Sequence, residues 1–418
     1  MNCYLHGNHI AAIIPDKRKE VTIMVAFSDR IKTLQPSAIR EILKFTAYPD
    51  VISFAGGNPA PEAFPIAEVK EIMNDIMDTE PVTALQYSVS EGYTPLRDWI
   101  KEDLANKGIL KWNDDDVIIT AGAQQVMEMT AKVLCNERET IICEEPSFIG
   151  SLNSFRSYNS KLVGVPMDDE GIDANKLEQA LKDNPRTAFI YLIPNFQNPT
   201  GRTMSLERRK QVLELAYKYK THIIEDNPYG DLRFSGEDVP SIRSMDKEGR
   251  VIYAGTFSKT VAPGLRVGFM CAEKSLIAKA TVALQVSTVH TSILSQMIVH
   301  RFVTKYDFNE HLEKIRSIYG KKCDLMLNNL KLKMPHSITF TEPDGGLFIW
   351  GTLPDGDMDY FVKKVIDQKV AIVTGKAFLV DERKPTLSFR LNYSTPTDEQ
   401  ILKGVDILAE VAKTIYKS

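Results

Sequence analysis

A lysine and an arginine lie seven residues apart in a short stretch that also carries small hydroxyl residues. The stretch reads Gly-Thr-Phe-Ser-Lys-Thr from residue 255 and Ala-Pro-Gly-Leu-Arg-Val-Gly from residue 262. A lysine that attacks an aldehyde must be neutral, and a partly dry site near other cations lowers its pKa. Lys259 is therefore a candidate for a Schiff-base lysine, with a solvated loop lysine as the alternative. Thr256, Ser258 and Arg266 are candidates for holding a phosphate, because a guanidinium donates two hydrogen bonds to its oxygens.

A second candidate group follows an apolar run that ends in Glu225 and Asp226. Ligands of open α/β sheets bind outside the carboxyl ends of the strands. A carboxylate at that edge can keep a pyridine nitrogen protonated, which makes the ring a stronger electron sink. Tyr229 is placed to hydrogen-bond an oxygen on such a ring. A helix cap or a loop turn is the alternative interpretation of the acidic pair.

Two turns offer further hydrogen-bond donors. Asn198 is followed by Pro199 in the run from residue 194 to 201, so it is either a rigid donor or part of an ordinary turn. Small residues lead into a helix at Ala123 and Gln124, where free backbone N–H groups can bind an anion. Phe148 is either a ring that stacks on a flat ligand or a core phenylalanine.

Short apolar runs rich in branched residues alternate with helical stretches between residues 65 and 270. Such runs suit buried parallel strands, and the alternation predicts an α/β fold with a mostly parallel sheet. Helical spacing predicts helices at Ile66–Met77 and Leu206–Tyr219, and a third after Thr94 as N-cap with Pro95 in the first helical position. The predicted strands are Val117–Thr120, Thr140–Cys143, Ala188–Ile193, His222–Ile224 and Val251–Ala254.

The pattern changes after about residue 305. A long charged helix is predicted from Phe308 to about Leu330, followed by four shorter strands. We therefore expect a large domain over residues 65–304 and a smaller α+β domain over residues 305–418. The four shorter strands are Ile338–Thr341, Gly346–Gly351, Ala371–Thr374 and Thr386–Leu391.

Composition excludes several classes of protein. The 418 residues are 43% hydrophobic and 25% charged with a net charge of −4, which argues against a nucleic-acid partner. No apolar run approaches the ~20 residues of a membrane span. The five cysteines form no Cys-x-x-Cys pair, which favours free thiols and a cytoplasmic location. Residues 1–27 are expected to be a poorly ordered extension.

Together these motifs resemble the class I/II aminotransferases of the fold-type I pyridoxal-phosphate enzymes. The resemblance covers about residues 28–412, with four motifs in the family's order. The stretches Ser37–Leu43 and Ile52–Pro65 are similar to the 2-aminoadipate and kynurenine aminotransferase branch. The resemblance implies that residues 28–64 join the smaller domain.

The resemblance implies roles for the residues at the cofactor. Lys259 would carry pyridoxal phosphate as a Schiff base and then shuttle the substrate proton, and Asp226 would pair with the ring nitrogen. Phe148 would stack on the ring in place of the branch's usual tyrosine. The ring oxygen would be bound by Asn198 and Tyr229, and the phosphate by Ala123, Gln124, Thr256, Ser258 and Arg266. Tyr87 matches a tyrosine that reaches the phosphate from the other subunit, which implies a homodimer.

The resemblance also implies substrate contacts at Gly57, Asn198 and Arg390, the last through the α-carboxylate. Arg40, on a short predicted helix over residues 37–46, is either a ligand for a distal carboxylate or a solvated helix residue. The implied reaction transfers an amino group between an L-amino acid and a 2-oxo acid, with 2-oxoglutarate and glutamate as one pair. Another pyridoxal-phosphate reaction, β-elimination or decarboxylation, is the alternative. A regulator with this fold is disfavoured, because only about two dozen residues precede the match.

Overall fold

The computed structural model describes residues 26–32, 34, 50–111 and 113–416. The helix predicted over residues 37–46, with Arg40, lies outside the described residues. The strands are β1 (Ile52–Ser53), β2 (Asp115–Thr120), β3 (Thr140–Glu145), β4 (Lys161–Asp168), β5 (Gly171–Ile172), β6 (Thr187–Leu192), β7 (His222–Asp226), β8 (Val251–Thr256), β9 (Gly268–Glu273), β10 (Thr339–Phe340), β11 (Phe348–Thr352), β12 (Val370–Ala371), β13 (Val373–Thr374) and β14 (Ser388–Asn392).

Helices fill most of the intervening chain. They are α1 (Asp29–Lys32), α2 (Ile66–Thr79), α3 (Pro81–Leu85), α4 (Thr94–Asn106), α5 (Ala123–Leu134), α6 (Ile149–Arg156), α7 (Ala174–Asp183), α8 (Leu206–Tyr219), α9 (Ile242–Met245), α10 (Lys274–Thr288), α11 (Ile293–Lys305), α12 (Phe308–Lys333), α13 (Met358–Asp367) and α14 (Asp398–Ile415). Four short 3-10 turns lie at Pro61–Ala63, Gly230–Leu232, Pro263–Leu265 and Gly375–Phe378.

Eight strands form the large sheet in the order β2-β9-β8-β7-β6-β3-β4-β5. The pairs from β8 to β4 are parallel, while β9 runs antiparallel to both of its neighbours. The prediction of a mostly parallel sheet is confirmed. Because β3, β6, β7 and β8 run in the same direction, the loops that follow them meet at one edge.

Apolar packing on both faces holds the large sheet in place. Alternate residues of one strand serve opposite faces, as Ile224 packs with the α5 and α6 side of the sheet and Ile223 with the α7 and α8 side. Both side chains are fully buried. Burying an isoleucine contributes about 1.5–3 kcal/mol, so strands that are apolar on both faces are stable only inside such a three-layer arrangement.

A four-stranded sheet, β10-β11-β14-β13, and a short parallel pair, β1-β12, make up the remaining β structure. Helices α12 and α14 pack together beside them. The pairing of Ile52 with Val370 joins the chain before the large sheet to the chain after it. No helix in the described part of the chain is both long and apolar enough to cross a membrane.

One predicted helix boundary is wrong. Helix α4 begins at Thr94 itself, with Tyr93 in the N-cap position and no side-chain cap. The backbone N–H of Tyr93 donates instead to Gln296 Oε1 at 2.7 Å. A contact more than 200 residues away in sequence therefore fixes the start of the helix, and local capping chemistry does not.

Candidate active site

A cavity of about 260 Å³ opens at the edge where the parallel strands end. Asp226 ends β7 and Thr256 ends β8, while the loops after β3 and β6 bring Phe148 and Asn198. The cavity is lined by Gly57, Ala123, Gln124, Met127, Phe148, Ser151, Ile193, Asn198, Asp226, Pro228, Tyr229, Thr256, Ser258, Lys259, Arg266, Phe348 and Arg390. The fold thus gathers almost all of the predicted site residues around one space.

Lys259 reaches across this cavity from the loop after β8. Its Nζ donates a hydrogen bond to the carbonyl oxygen of Gly57 at 2.8 Å. Burial, together with the positive charges of Arg266 and Arg390, lowers the pKa of Lys259 to about 8. Roughly a tenth of the amine is therefore neutral at pH 7, far more than for a lysine in water, and the neutral form is the one that attacks an aldehyde.

The two acids at the end of β7 point to opposite sides of the sheet. Glu225 accepts the backbone N–H groups of Ile242 and Arg243 at 3.0 and 2.8 Å, so it caps the short helix α9. Asp226 faces the cavity, where burial raises its pKa to about 7. The helix-cap interpretation thus describes Glu225, and only Asp226 is available to a ligand.

Each oxygen of the Asp226 carboxylate has a different environment. Oδ2 accepts a hydrogen bond from the hydroxyl of Tyr191 at 2.8 Å. Oδ1 is buried and has no hydrogen-bond partner among the described residues. An unpaired buried acceptor is costly, so a cationic N–H donor in the cavity would stabilise this site.

Asn198 connects the cavity to the smaller sheet. Its Oδ1 accepts from Arg390 Nη1 at 2.8 Å, and its Nδ2 lies 3.4 Å from the hydroxyl of Tyr229. The turn that carries Asn198 ends at Gly201, whose φ is +71°. A Cβ atom at Gly201 would lie 2.5 Å from the Phe348 carbonyl oxygen, so this close approach requires glycine.

Arg390 lies on β14 and is buried between aromatic rings. Its guanidinium carbon is 4.3 Å from the ring centre of Phe348 and 4.9 Å from that of Phe378. Nη2 donates to the carbonyl oxygens of Ala55 and Gly56, whereas Nε has no partner in the described structure. Burial lowers the pKa of Arg390 to about 10, but the group remains a cation at neutral pH. A substrate carboxylate would neutralise this buried charge.

The opposite end of the cavity carries hydroxyl and guanidinium groups. Thr256 Oγ1 lies 2.9 Å from Ser258 Oγ, and Arg266 Nη2 donates to the Ala121 carbonyl oxygen at 2.9 Å. Arg266 itself remains exposed. Gly122, with φ of +76°, lies beneath this guanidinium, since a Cβ there would lie 2.5 Å from Nη2. These groups form a cradle that matches the size and charge of a phosphate.

Helix α5 adds backbone donors to that cradle. It begins at Ala123, and the first N–H groups of a helix have no intrahelical partner. The Gln124 side chain is engaged elsewhere, because its Nε2 donates to Gly150 O at 2.8 Å and to Ser154 Oγ at 2.6 Å. The backbone of Gln124, and not its amide side chain, is therefore the group available for an anion.

Among the described residues, one predicted site residue does not line the cavity. Tyr87 is 81% exposed and packs edge-on against His290, with ring centres 5.9 Å apart. Arg40 belongs to the residues that the structure does not describe. The position of Tyr87 on the surface is what a contribution to another subunit would require.

Five residues that the sequence did not single out also line the cavity. They are Met127, Ser151, Ile193, Pro228 and Phe348. Pro228 lies between Asp226 and Tyr229, which the sequence predicts. Ser151 lies three residues after the predicted Phe148, and Ile193 directly precedes the predicted turn over residues 194–201. Phe348 comes from β11 in a different sheet, so only the packing of that sheet against the large one brings it here.

Fold and cavity together define a pyridoxal-phosphate-dependent enzyme of fold type I. The chain belongs to the family of class I and II aminotransferases, whose family model matches residues 49–408. It is 40% identical to aromatic-amino-acid aminotransferase 1 of Thermococcus litoralis, over 94% of this chain and 95% of the relative. It is 37% identical to the 2-aminoadipate transaminase of Thermus thermophilus, over 93% and 96% of the two chains.

A solved structure of similar fold is the kynurenine aminotransferase of Pyrococcus horikoshii, in complex with PMP. The two share a TM-score of 0.89 and 37% identity over 94% of this chain and 98% of that one. The predicted family, fold and aminotransferase activity are thereby confirmed. Pyridoxal phosphate is the cofactor, and the cavity fits it, because the unpaired Asp226 Oδ1 suits a pyridinium and the Arg266 cradle suits a phosphate.

Proposed function

We propose that this aminotransferase moves the amino group of an L-amino acid to 2-oxoglutarate, with Lys259 as the residue that bears the cofactor. The observation that carries this proposal is the meeting of three groups in one cavity: the Lys259 amine, the Asp226 carboxylate and the Arg390 guanidinium. They supply a nucleophile, an anchor for a pyridinium and an anchor for a substrate carboxylate. The three groups can act on one bound cofactor and substrate only if all of them lie around the same small space.

The remaining residues are proposed to hold the cofactor in a fixed orientation. Bound pyridoxal phosphate supplies an electron sink that stabilises negative charge at the substrate α-carbon. Asn198 and Tyr229 face the space where the ring oxygen would lie, and Phe148 forms a flat wall. The phosphate ligands are proposed to be Ala123, Gln124, Thr256, Ser258 and Arg266, through the groups described above.

Lys259 is also proposed to carry the substrate proton. With its pKa lowered to about 8, the amine can accept a proton and release it again near neutral pH. A general base of this kind contributes a rate factor of ~10²–10⁴ when it is held beside the reacting carbon. Its hydrogen bond to Gly57 O keeps the amine inside the cavity.

Arg390 is proposed to bind the α-carboxylate, with the Gly57 backbone beside it. The Phe348 ring lies against Arg390, and Ile193 and Met127 add apolar surface to the lining of the cavity, which suits an aromatic or long aliphatic side chain. The relatives named for aromatic amino acids and kynurenine are consistent with such donors, whereas the relative named for 2-aminoadipate takes a donor with a distal carboxylate. Whether Arg40 selects acidic side chains stays a prediction, to be tested by comparing glutamate with leucine in an Arg40→Ala protein.

A homodimer with shared sites is proposed from the surface around Tyr87. Seven apolar side chains there are each about half or more exposed, which is unusual for a monomer. They are Val82, Leu85, Tyr87, Val89, Val282, Val286 and Val289. The contact between Tyr87 and His290 joins the two segments into one surface, which we call the Tyr87 surface.

The domain division and the location are proposed as follows. Residues 65–304 form the cofactor-binding domain, and residues 28–64 with 305–418 form the smaller one, as the pairing of β1 with β12 supports. The cysteines within the described ranges, Cys135, Cys143, Cys271 and Cys323, are free thiols. Free thiols of this kind fit a reducing cytoplasm.

The test of the proposal is borohydride reduction of the purified protein, followed by peptide mass spectrometry. We expect the cofactor to be found on Lys259 and a Lys259→Ala protein to remain unlabelled. In parallel, 2-aminoadipate, phenylalanine and kynurenine are offered with 2-oxoglutarate as acceptor, and glutamate is offered with pyruvate. The expected products are the matching 2-oxo acids and a new amino acid.

Two results would overturn the proposal. One is attachment of the cofactor to a different lysine. The other is a Lys259→Ala protein that transfers amino groups as fast as the parent. Release of carbon dioxide or ammonia in place of amino transfer would instead support a decarboxylase or β-lyase at the same cavity.

A further inference from the structure

Two hydroxyl groups form a chain behind the Asp226 carboxylate. Ser151 Oγ donates to the Tyr191 hydroxyl at 2.8 Å, and Tyr191 donates to Asp226 Oδ2 at 2.8 Å. An ionised carboxylate only accepts hydrogen bonds, so the single tyrosine proton points to Asp226 and the serine must supply the next one. We call this pair the Ser151–Tyr191 relay.

The ring of Tyr191 is held in one position by its surroundings. It is fully buried, and Phe155 packs edge-on against it with ring centres 5.3 Å apart. Ser151 and Phe155 lie one turn apart on α6 and therefore share a face of that helix. One helix thus fixes both the hydroxyl and the ring of Tyr191.

We propose that Tyr191 is a positioning residue that turns the Asp226 carboxylate so that Oδ1 is left for the ring nitrogen of the cofactor. Because Oδ2 already accepts a hydrogen bond from Tyr191, Oδ1 is the oxygen of Asp226 that has no partner in the described structure. This inference rests on the proposed role of Asp226.

The relay also acts on the charge of Asp226. Burial alone favours the protonated acid, which could not pair with a pyridinium, while the Tyr191 hydrogen bond favours the ionised form. The other titratable groups that face this carboxylate are Glu144 on β3 and Tyr229, and both of them carry a raised pKa beside it. Tyr191 is therefore the described side chain that stabilises the negative charge through a direct hydrogen bond.

The experiment compares two ligands on the protein freed of its cofactor. One is pyridoxal phosphate, and the other is its 1-deaza analogue, in which a C–H group replaces the ring nitrogen. We expect the parent to prefer pyridoxal phosphate. In a Tyr191→Phe protein this preference should fall by about 10- to 100-fold, the usual effect of a hydrogen bond to a charged group.

Tyr393→Phe is the matched control. Tyr393 is also fully buried, and its hydroxyl donates to Gly345 O at 3.0 Å, away from Asp226. Its removal should leave the ligand preference unchanged. If the Tyr191→Phe protein does not fold, Ser151→Ala is measured in its place, with a smaller loss expected because the tyrosine hydroxyl loses its donor.

The outcomes separate the two proposals. A parent with no preference between the ligands would refute the role of Asp226, and the relay with it. A parent that prefers pyridoxal phosphate, together with a Tyr191→Phe or Ser151→Ala protein of equal preference, would refute the relay alone. If the preference for pyridoxal phosphate fell equally in the Tyr393→Phe protein, the cause would be general destabilisation, and the relay would also be refuted.

Discussion

Single residues at this site have pKa values that differ from those they would have in water. Burial and two nearby guanidinium groups lower the pKa of Lys259 to about 8. Burial is the main cause that raises the pKa of Asp226 to about 7 and that of Glu144 to about 8, and in Glu144 the nearby charge of Asp226 adds to it. These shifts follow from the same desolvation acting on a base and on acids. They cost stability in the empty protein, and a cationic ring beside Asp226 would offset part of that cost.

Glu144→Gln should stabilise the protein at alkaline pH. Glu144 is fully buried, with Oε2 accepting from Ile193 N and Oε1 unpaired within the described structure. Since its folded pKa is raised from 4.5 to about 8, the folded state binds more protons than the unfolded state over that interval. Stability of the parent therefore falls as pH rises from about 4.5 to 8. Glutamine cannot ionise, so the Glu144→Gln protein does not lose stability in this way.

Urea unfolding at pH 5 and pH 9 measures the effect. The advantage of Glu144→Gln over the parent should be larger at pH 9, by roughly 1–4 kcal/mol. Glu237→Gln, which makes the same change at an exposed position, is the matched control. A Glu144→Gln advantage that is the same at both pH values would show that Glu144 ionises normally in the folded protein.

At the scale of elements, the strands deliver the site residues through the loops that follow them. Gly122→Ala tests one such junction, between β2 and α5. The new Cβ would displace the Arg266 guanidinium, and the φ of +76° is strained for alanine. We expect a loss of about 1–3 kcal/mol in stability and, because the proposed phosphate ligand Arg266 is displaced, weaker cofactor binding by about tenfold or more.

Gly108→Ala is the matched comparison for Gly122→Ala. Gly108 has a φ of +69°, but no atom lies within 4 Å of where its Cβ would be. Its replacement should reduce stability without changing the cofactor dissociation constant. Fluorescence titration measures the affinity of both proteins for the cofactor. Equal affinities would show that Gly122 does not support phosphate binding.

The elements also show what a sequence can and cannot predict. All five strands predicted for the large sheet are present, but the predictions at 140–143, 222–224 and 251–254 end before the strands do. The backbone continues through polar residues such as Glu145 and Asp226, which interrupt the apolar run. Strand β4 was not predicted, because it contains Gly164 and Pro166, both unfavourable for strands. Strand β9 pairs antiparallel through distant partners that no local pattern specifies.

For the cavity too, the sequence predicts the residues of local motifs but not the contacts made between distant segments. Residues such as Lys259, Asp226 and Asn198 lie in motifs whose chemistry is local, so the sequence predicts them. Phe348 and Tyr191 lie in predicted strands, but the sequence does not indicate their contacts with the cavity and with Asp226, because those contacts form only on folding. Of the predicted site residues in the described structure, Tyr87 alone lies apart from the cavity.

At the scale of the whole molecule, the Tyr87 surface leads to a prediction about assembly. If the proposed dimer forms, Val286→Lys should convert it into monomers, because the substitution places a charge on the apolar Tyr87 surface. Leu332→Lys is the control, since Leu332 is 80% exposed and, like Val286, lies in the last turn of its helix. Sedimentation velocity should show the difference, and cofactor binding should weaken only in the Val286→Lys protein. A Val286→Lys protein that sediments as the parent does would contradict the proposed interface.

The cavity is shared between the two sheets, and this has a consequence for affinity. Arg390 and Gly57 come from the segments that flank the large sheet, yet they bond Asn198 and Lys259 on the other side. A small rotation between the two parts would break both hydrogen bonds together and separate the carboxylate anchor from the amine. Any dissociation constant measured for an amino acid would then combine local complementarity with the fraction of molecules in the closed arrangement. Some substitutions far from the cavity would loosen the packing between the two parts. They would weaken the binding of every substrate by the same factor and leave the order of affinities unchanged.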